Sequence, residues 1–196
     1  MSRSRTATVV AGLVAAAAVA TVLSGCSPTE APAGKYPDMT LGETKSPVQL
    51  LRNEAAGRIP ESVTDGIVKS SDQSTNCITR ESDPDGLIRS WDSSVRIAIA
   101  AEHGAEVQEI VDDLAETFVA QGWKKDTFGV ASIIDLSSEK SFVAIHVSAT
   151  KADPETGEGG AIQLVASGPC VETDGRESTE VINLGDRGDV KEEESE

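Results

Sequence analysis

The alternation of apolar and polar positions is clearest between Leu87 and Ile99. Leu87, Trp91, Val95, Ile97 and Ile99 fall on odd positions, and Ser90, Asp92, Ser94 and Arg96 on even ones. A period of two over this length predicts a long strand with one buried face. Arg89 and Ser93 interrupt the odd series. Ahead of it, Asp83-Pro84-Asp85-Gly86 is a strong turn sequence. The period then changes. Val107, Ile110, Val111, Leu114, Phe118 and Val119 form a helical stripe within residues 105–122, with Glu106, Glu109, Asp112, Asp113 and Glu116 on the rest of the surface. Acids in the first turn suit the positive end of the helix dipole. Gly122 stands where a left-handed C′ glycine belongs, and Trp123 at C″ should fold back on Phe118. Trp123 is therefore read as a structural cap rather than a platform for a ligand.

Weaker patterns fill in the rest. Ser46-Pro47 reads as an N-cap followed by proline at the first helical position. Val48, Leu51 and Ala55 then repeat at helical spacing, and Gly57 and Pro60 close the segment. Residues 63–68 read as a short strand and residues 70–76 as a polar loop. Three further strands are predicted over 128–136, 142–150 and 161–171. Residues 137–140 form a hairpin loop, and residues 151–160 a longer, Gly-rich hairpin tip. We expect an α+β fold: a two-layer sandwich with a mainly antiparallel sheet of about five strands and two helices on one face.

The first residues follow neither period. Arg3 and Arg5 precede an apolar run of about 15 residues, from Val9 to Leu23, which ends in Leu23-Ser24-Gly25-Cys26. This is the layout of a secretory signal peptide, and the run is shorter than the roughly 20 residues that span a bilayer. The tetrapeptide resembles the lipobox of bacterial lipoproteins, which implies cleavage before Cys26 and acylation of its sulfur. Two or more acyl chains give stable anchoring where one does not. The expected organisation is a leader over 1–25, a flexible tether over 26–45, the globular domain over 46–172 and a disordered acidic tail over 173–196. Pro28, Pro32, Gly34 and Pro37 suit the tether.

Charge narrows the partners. The chain has 17 Lys plus Arg against 33 Asp plus Glu, a formal net charge of −16. The leader carries two arginines and no acid, so the mature chain would stand at −18. The tail from Thr173 carries nine acids and three bases, so much of the charge reads as solubility and spacing. A nucleic-acid binder needs a basic footprint, which this chain lacks. Electrostatic attachment to anionic lipid is excluded on the same ground. Of three cysteines, Cys26 is claimed by lipid. Cys77 and Cys170 remain as an even pair in an oxidising compartment, and we expect a disulfide between them.

Candidate chemistry is sparse. No HExxH, CxxC, GxSxG, phosphate-cradling loop or dinucleotide fingerprint occurs, and no cofactor is implied. His103 and His146 read as surface histidines. Arg89 shares the parity of the buried positions and could meet a buried acid, but both it and Arg96 are read as solvated or ion-paired. Glu81, Asp83, Asp85, Gly86, Ile88 and Asp92 match positions 1, 3, 5, 6, 8 and 12 of a calcium-loop template. Glu at position 1, Pro84 at position 4 and the short Asp92 at position 12 depart from it. We read the stretch as an acidic turn before the Trp91 strand, with calcium as the lesser alternative and no metal ligand assigned.

The Ala-rich leader with LSGC, the RSWDSSVRIAIA strand, the amphipathic helix ending in QGW and the SGPC segment together resemble small actinobacterial lipoproteins of the LppA-like kind. The resemblance covers most of residues 26–171 and brings no catalytic residues with it. It implies a lipid-anchored protein on the extracytoplasmic face of the cell membrane. The expected function is a non-enzymatic interaction or accessory domain with an envelope protein as partner. The alternative is a carrier or sensor holding a lipid or small molecule between helix and sheet. A cryptic envelope hydrolase would require His103 or His146 to cluster with Ser and Asp.

Overall fold

The computed structural model describes residues 36–126, 132–138, 140–153 and 155–184. The chain divides into Met1–Ala33 and Gly34–Glu196, and every described residue belongs to the second unit. The leader, Cys26, most of the tether and residues 185–196 lie outside the described residues. Among those described, no helix is long and apolar enough to cross a membrane.

Helix α1 spans Leu41–Gly57. It begins five residues before the Ser46-Pro47 start expected from the sequence. The reason is a capping box. Thr40 Oγ1 accepts the Glu43 amide proton (3.3 Å), and the Glu43 carboxylate accepts from the Thr40 amide (2.7 Å). The helix therefore carries Pro47 inside it, without the N–H that would bond the Glu43 carbonyl. Leu41, Thr44, Val48, Leu51 and Ala55 form its buried stripe. The tether is shorter than expected by the same residues.

Strand β1 runs over Thr64–Asn76 and β2 over Ile88–Ile99. Residues 70–76, expected as a loop, are strand. They pair without interruption with β2, from Ser70 opposite Val95 to Asn76 opposite Arg89. β1 is an edge strand, and most of its side chains are exposed. Backbone pairing alone therefore places it, and no apolar alternation is needed to do so. Two register shifts interrupt its first half, the sort of irregularity that blunts an edge.

Helix α2 spans Val107–Val119, and its end has the expected form. Gly122 adopts φ 90°. The Trp123 amide donates to the Phe118 carbonyl (3.1 Å) and the Gly122 amide to that of Val119 (2.9 Å), the two bonds of a Schellman motif. Trp123 meets Phe118 edge to face at 5.2 Å.

Strands β3 (Lys124–Asp126), β4 (Ile133–Ser137), β5 (Ala144–Thr150), β6 (Ala161–Ser167) and β7 (Val171–Glu172) complete the sheet. The first part of the strand expected over 128–136 lies outside the described residues. The order is β1-β2-β6-β5-β4-β3, with β7 beside the start of β2, and every pairing is antiparallel. The sheet thus has seven strands rather than about five, because two short strands sit at its margins.

Register explains the two layers. Val95 pairs with Leu164, Leu164 with Val147 and Val147 with Ile134, so these side chains share one face. They form a single core with Val48, Leu51, Val111, Leu114 and Phe118 of the two helices. Ser94, Arg96, His146, Ser148 and Gln163 occupy the opposite face and stay half-buried. The α+β two-layer sandwich is therefore the observed architecture.

The segment after residue 172, expected to be disordered, is ordered as far as Leu184. The Thr173 amide donates to the Leu87 carbonyl (2.7 Å), and Arg176 Nη2 to the Pro84 carbonyl (2.7 Å). A short helix α3, Thr179–Asn183, buries Val181. Lys45 Nζ reaches the Leu184 carbonyl (3.0 Å) and also lies 4.6 Å from the Trp91 ring. One apolar contact and these polar ties hold a segment whose composition alone suggests none.

Candidate interaction site

The turn before β2 is pinned from several sides. Asp83 is 6% exposed. Its two carboxylate oxygens accept the amides of Leu87 and Ile88, each at 2.9 Å. The Ile88 and Leu87 amides, with a smaller contribution from the Arg176 charge, hold this carboxyl below the usual aspartate range. Gly86 adopts φ 63°. A Cβ there would stand 3.0 Å from Asn76 Oδ1 and 3.1 Å from Arg89 Nη1. Cys77 and Cys170 are joined in a disulfide, Cα to Cα 6.0 Å, which closes the same turn onto the segment leading into β7.

The calcium-type positions do not converge. Asp83 is committed to backbone amides. Glu81 and Asp85 are exposed. Asp92 accepts from Thr75 Oγ1 (2.8 Å) on the open face of the sheet. Among the described residues, no group of three His, Cys, Asp or Glu is placed to hold a metal ion.

Arg89 corrects the sequence reading. It is fully buried, not solvated. Nε donates to Ser74 Oγ, Nη1 to Asn76 Oδ1 (2.6 Å) and Nη2 to the Ser74 carbonyl (3.1 Å). Its odd parity signalled this burial; its charge argued the other way. Arg96 lies on the opposite, half-exposed face as its parity requires.

The two histidines are far apart in role. His103 Nδ1 lies 2.9 Å from Glu106 Oε2, ahead of α2. His146 Nδ1 lies 2.7 Å from Asp135 Oδ1, its cross-strand neighbour on the open face. No serine hydroxyl is hydrogen-bonded to either ring among the described residues.

The concave feature of interest is on the helix layer. A groove of about 400 Å³ lies between the end of α1 and the outer side of α2. Ile59, Pro60, Val63, Ile110 and Leu114 give it apolar walls, and Glu106, Glu109 and Asp113 stand around it. Arg58, also lining it, is already engaged. It pairs with Glu54, donates to Thr117 Oγ1 and Gln121 Oε1 (2.8 Å each) and sits 4.0 Å from the Phe118 ring. The Arg58 contacts hold the two helices together at this end. No local pattern announces the groove. Its halves are some 50 residues apart, and the acids of α2 read from sequence as a solvated face.

Asp83 sets an acid dependence. Its folded pKa lies below the unfolded value of about 3.9. Its stabilising contribution is therefore complete above that pH and is lost as the pH falls through the lower folded value. Thermal midpoints should show a gap between the native chain and Asp83→Asn at pH 7 that narrows at pH 2–3. A gap independent of pH contradicts this assignment.

No protein-family model, curated protein or solved structure matches this chain.

Proposed function

We propose that the chain is a lipid-anchored lipoprotein of the cell envelope, held on the extracytoplasmic face of the membrane through Cys26, with its folded part a small non-catalytic interaction module. The cysteine pairing carries the reading. Cys77 and Cys170 are joined to each other, which leaves Cys26, at the end of the LSGC sequence, as the remaining cysteine. Disulfides persist in oxidising compartments, which agrees with export by the leader. The LppA-like resemblance points the same way.

The interaction reading is preferred to a carrier that holds its ligand between helix and sheet. That interface is filled by Val48, Leu51, Val95, Leu114, Phe118 and Leu164, all buried. The concave surface described above faces outward from the helices instead.

The test is metabolic labelling with an alkyne-bearing palmitate in an actinobacterial host. The native chain should take up label and partition with membranes, and Cys26→Ala should do neither. Label retained by Cys26→Ala, or absent from the native chain, overturns the anchor.

A further inference from the structure

We infer that the groove between α1 and α2 docks an extended basic peptide segment, one that presents an aliphatic side chain between lysines or arginines. The inference rests on the interaction reading above and names the chemistry of the partner.

The floor requires an apolar group. Ile59 is 5% exposed and Leu114 3%, and partly buried Ile110 packs against the same core. The volume of about 400 Å³ is at the small end for a binding pocket. It suits one or two side chains rather than a whole helix.

The rim requires positive charge. Glu106, Glu109 and Asp113 follow one another at spacings of three and four, so they form one ridge of α2. Along the axis they stand about 4.5 and 6 Å apart. Side chains on one face of an extended peptide repeat at about 6.6–6.8 Å, so bases flanking an apolar residue can each meet an acid. Glu106 already has His103 at 2.9 Å. Glu109 and Asp113 have no ion-pair partner among the described residues. Arg58 does not supply one, because its guanidinium is occupied by Glu54, Thr117 and Gln121. The negative field of the whole chain would also hasten the arrival of a basic segment. An anionic lipid headgroup meets the same acids with repulsion.

The experiment uses the full chain in neutral detergent, with empty micelles as blank. The probe is fluorescein-labelled Lys-Leu-Lys-Leu-Lys, and the readout is anisotropy. The expected result is saturable binding. It should weaken roughly fivefold in the double variant Glu109→Gln, Asp113→Asn, and more weakly with Ile110→Ala. The variant Glu155→Gln, Glu158→Gln, which removes equal charge at the distant hairpin tip, should bind as the native chain does. Equal binding of Lys-Ser-Lys-Ser-Lys overturns the apolar anchor. Equal losses in the two charge variants reduce the effect to net charge and overturn the site. Absence of binding at millimolar peptide overturns the proposal outright. Palmitate labelling of Cys26 is scored separately, so a failed groove and a failed anchor give different results.

Discussion

Replacing Arg89 by leucine should lower the stability of the fold by about 3 kcal/mol, read as the midpoint of urea unfolding. Three donors leave with the guanidinium. Ser74 is 1% exposed, so water cannot easily replace the donors at its hydroxyl and carbonyl. Unsatisfied buried groups of this kind cost about 1–3 kcal/mol each. Asn76 is exposed and can be rehydrated. The leucine also leaves space beside Gly86, whose Cα carries no side chain to fill it. Arg89→Lys should fall between, because one ammonium cannot reproduce a planar fork bonded on Nε and both terminal nitrogens. Should Arg89→Leu stay within about 0.5 kcal/mol of the native chain, as surface substitutions do, the three bonds are not structural.

The disulfide should weigh more. Cys77 and Cys170 are 93 residues apart. In the chain-entropy model, cross-linking a loop of that length stabilises by roughly 4–5 kcal/mol. The double variant Cys77→Ala, Cys170→Ala should lose about that much, and reduction of the native chain should match it. The loss should not be spread evenly. The turn before β2 holds Thr173 through the Leu87 carbonyl and Arg176 through the carbonyls of Pro84 and Asp85. Hydrogen exchange in the reduced protein should therefore rise first at residues 77–88 and 170–184, with the β5–β6 pairing protected longest. Uniform loss of protection would contradict that order.

Legibility differed by element for physical reasons. β2 and α2 bury one face each, so period two and period 3.6 stand out, and the Gly122-Trp123 ending is a local rule locally obeyed. The start of α1 was obscured by Ser46-Pro47, a good start signal inside a helix that Thr40 and Glu43 had already begun. The second half of β1 is placed by its neighbour's backbone, about which its own polar residues carry no pattern. Val181 is one buried side chain in an acidic run, too little to register as an element. Arg89 carried two signals, parity and charge, and burial followed parity. The Cys77–Cys170 pair was legible because cysteine bonding is a matter of counting. The groove was not, because Ile59 and Ile110 meet only in three dimensions.

α1 is also a ruler. Its 17 residues amount to about 26 Å at 1.5 Å per residue. The chain enters this helix at Thr40, and the groove opens past its other end, at Arg58 and Ile59. A body tethered ahead of Thr40 would thus carry its docking surface one helix length away from the point of attachment. A partner rooted beside the anchor would have to reach across that length, whereas a segment arriving from farther out would meet the groove first.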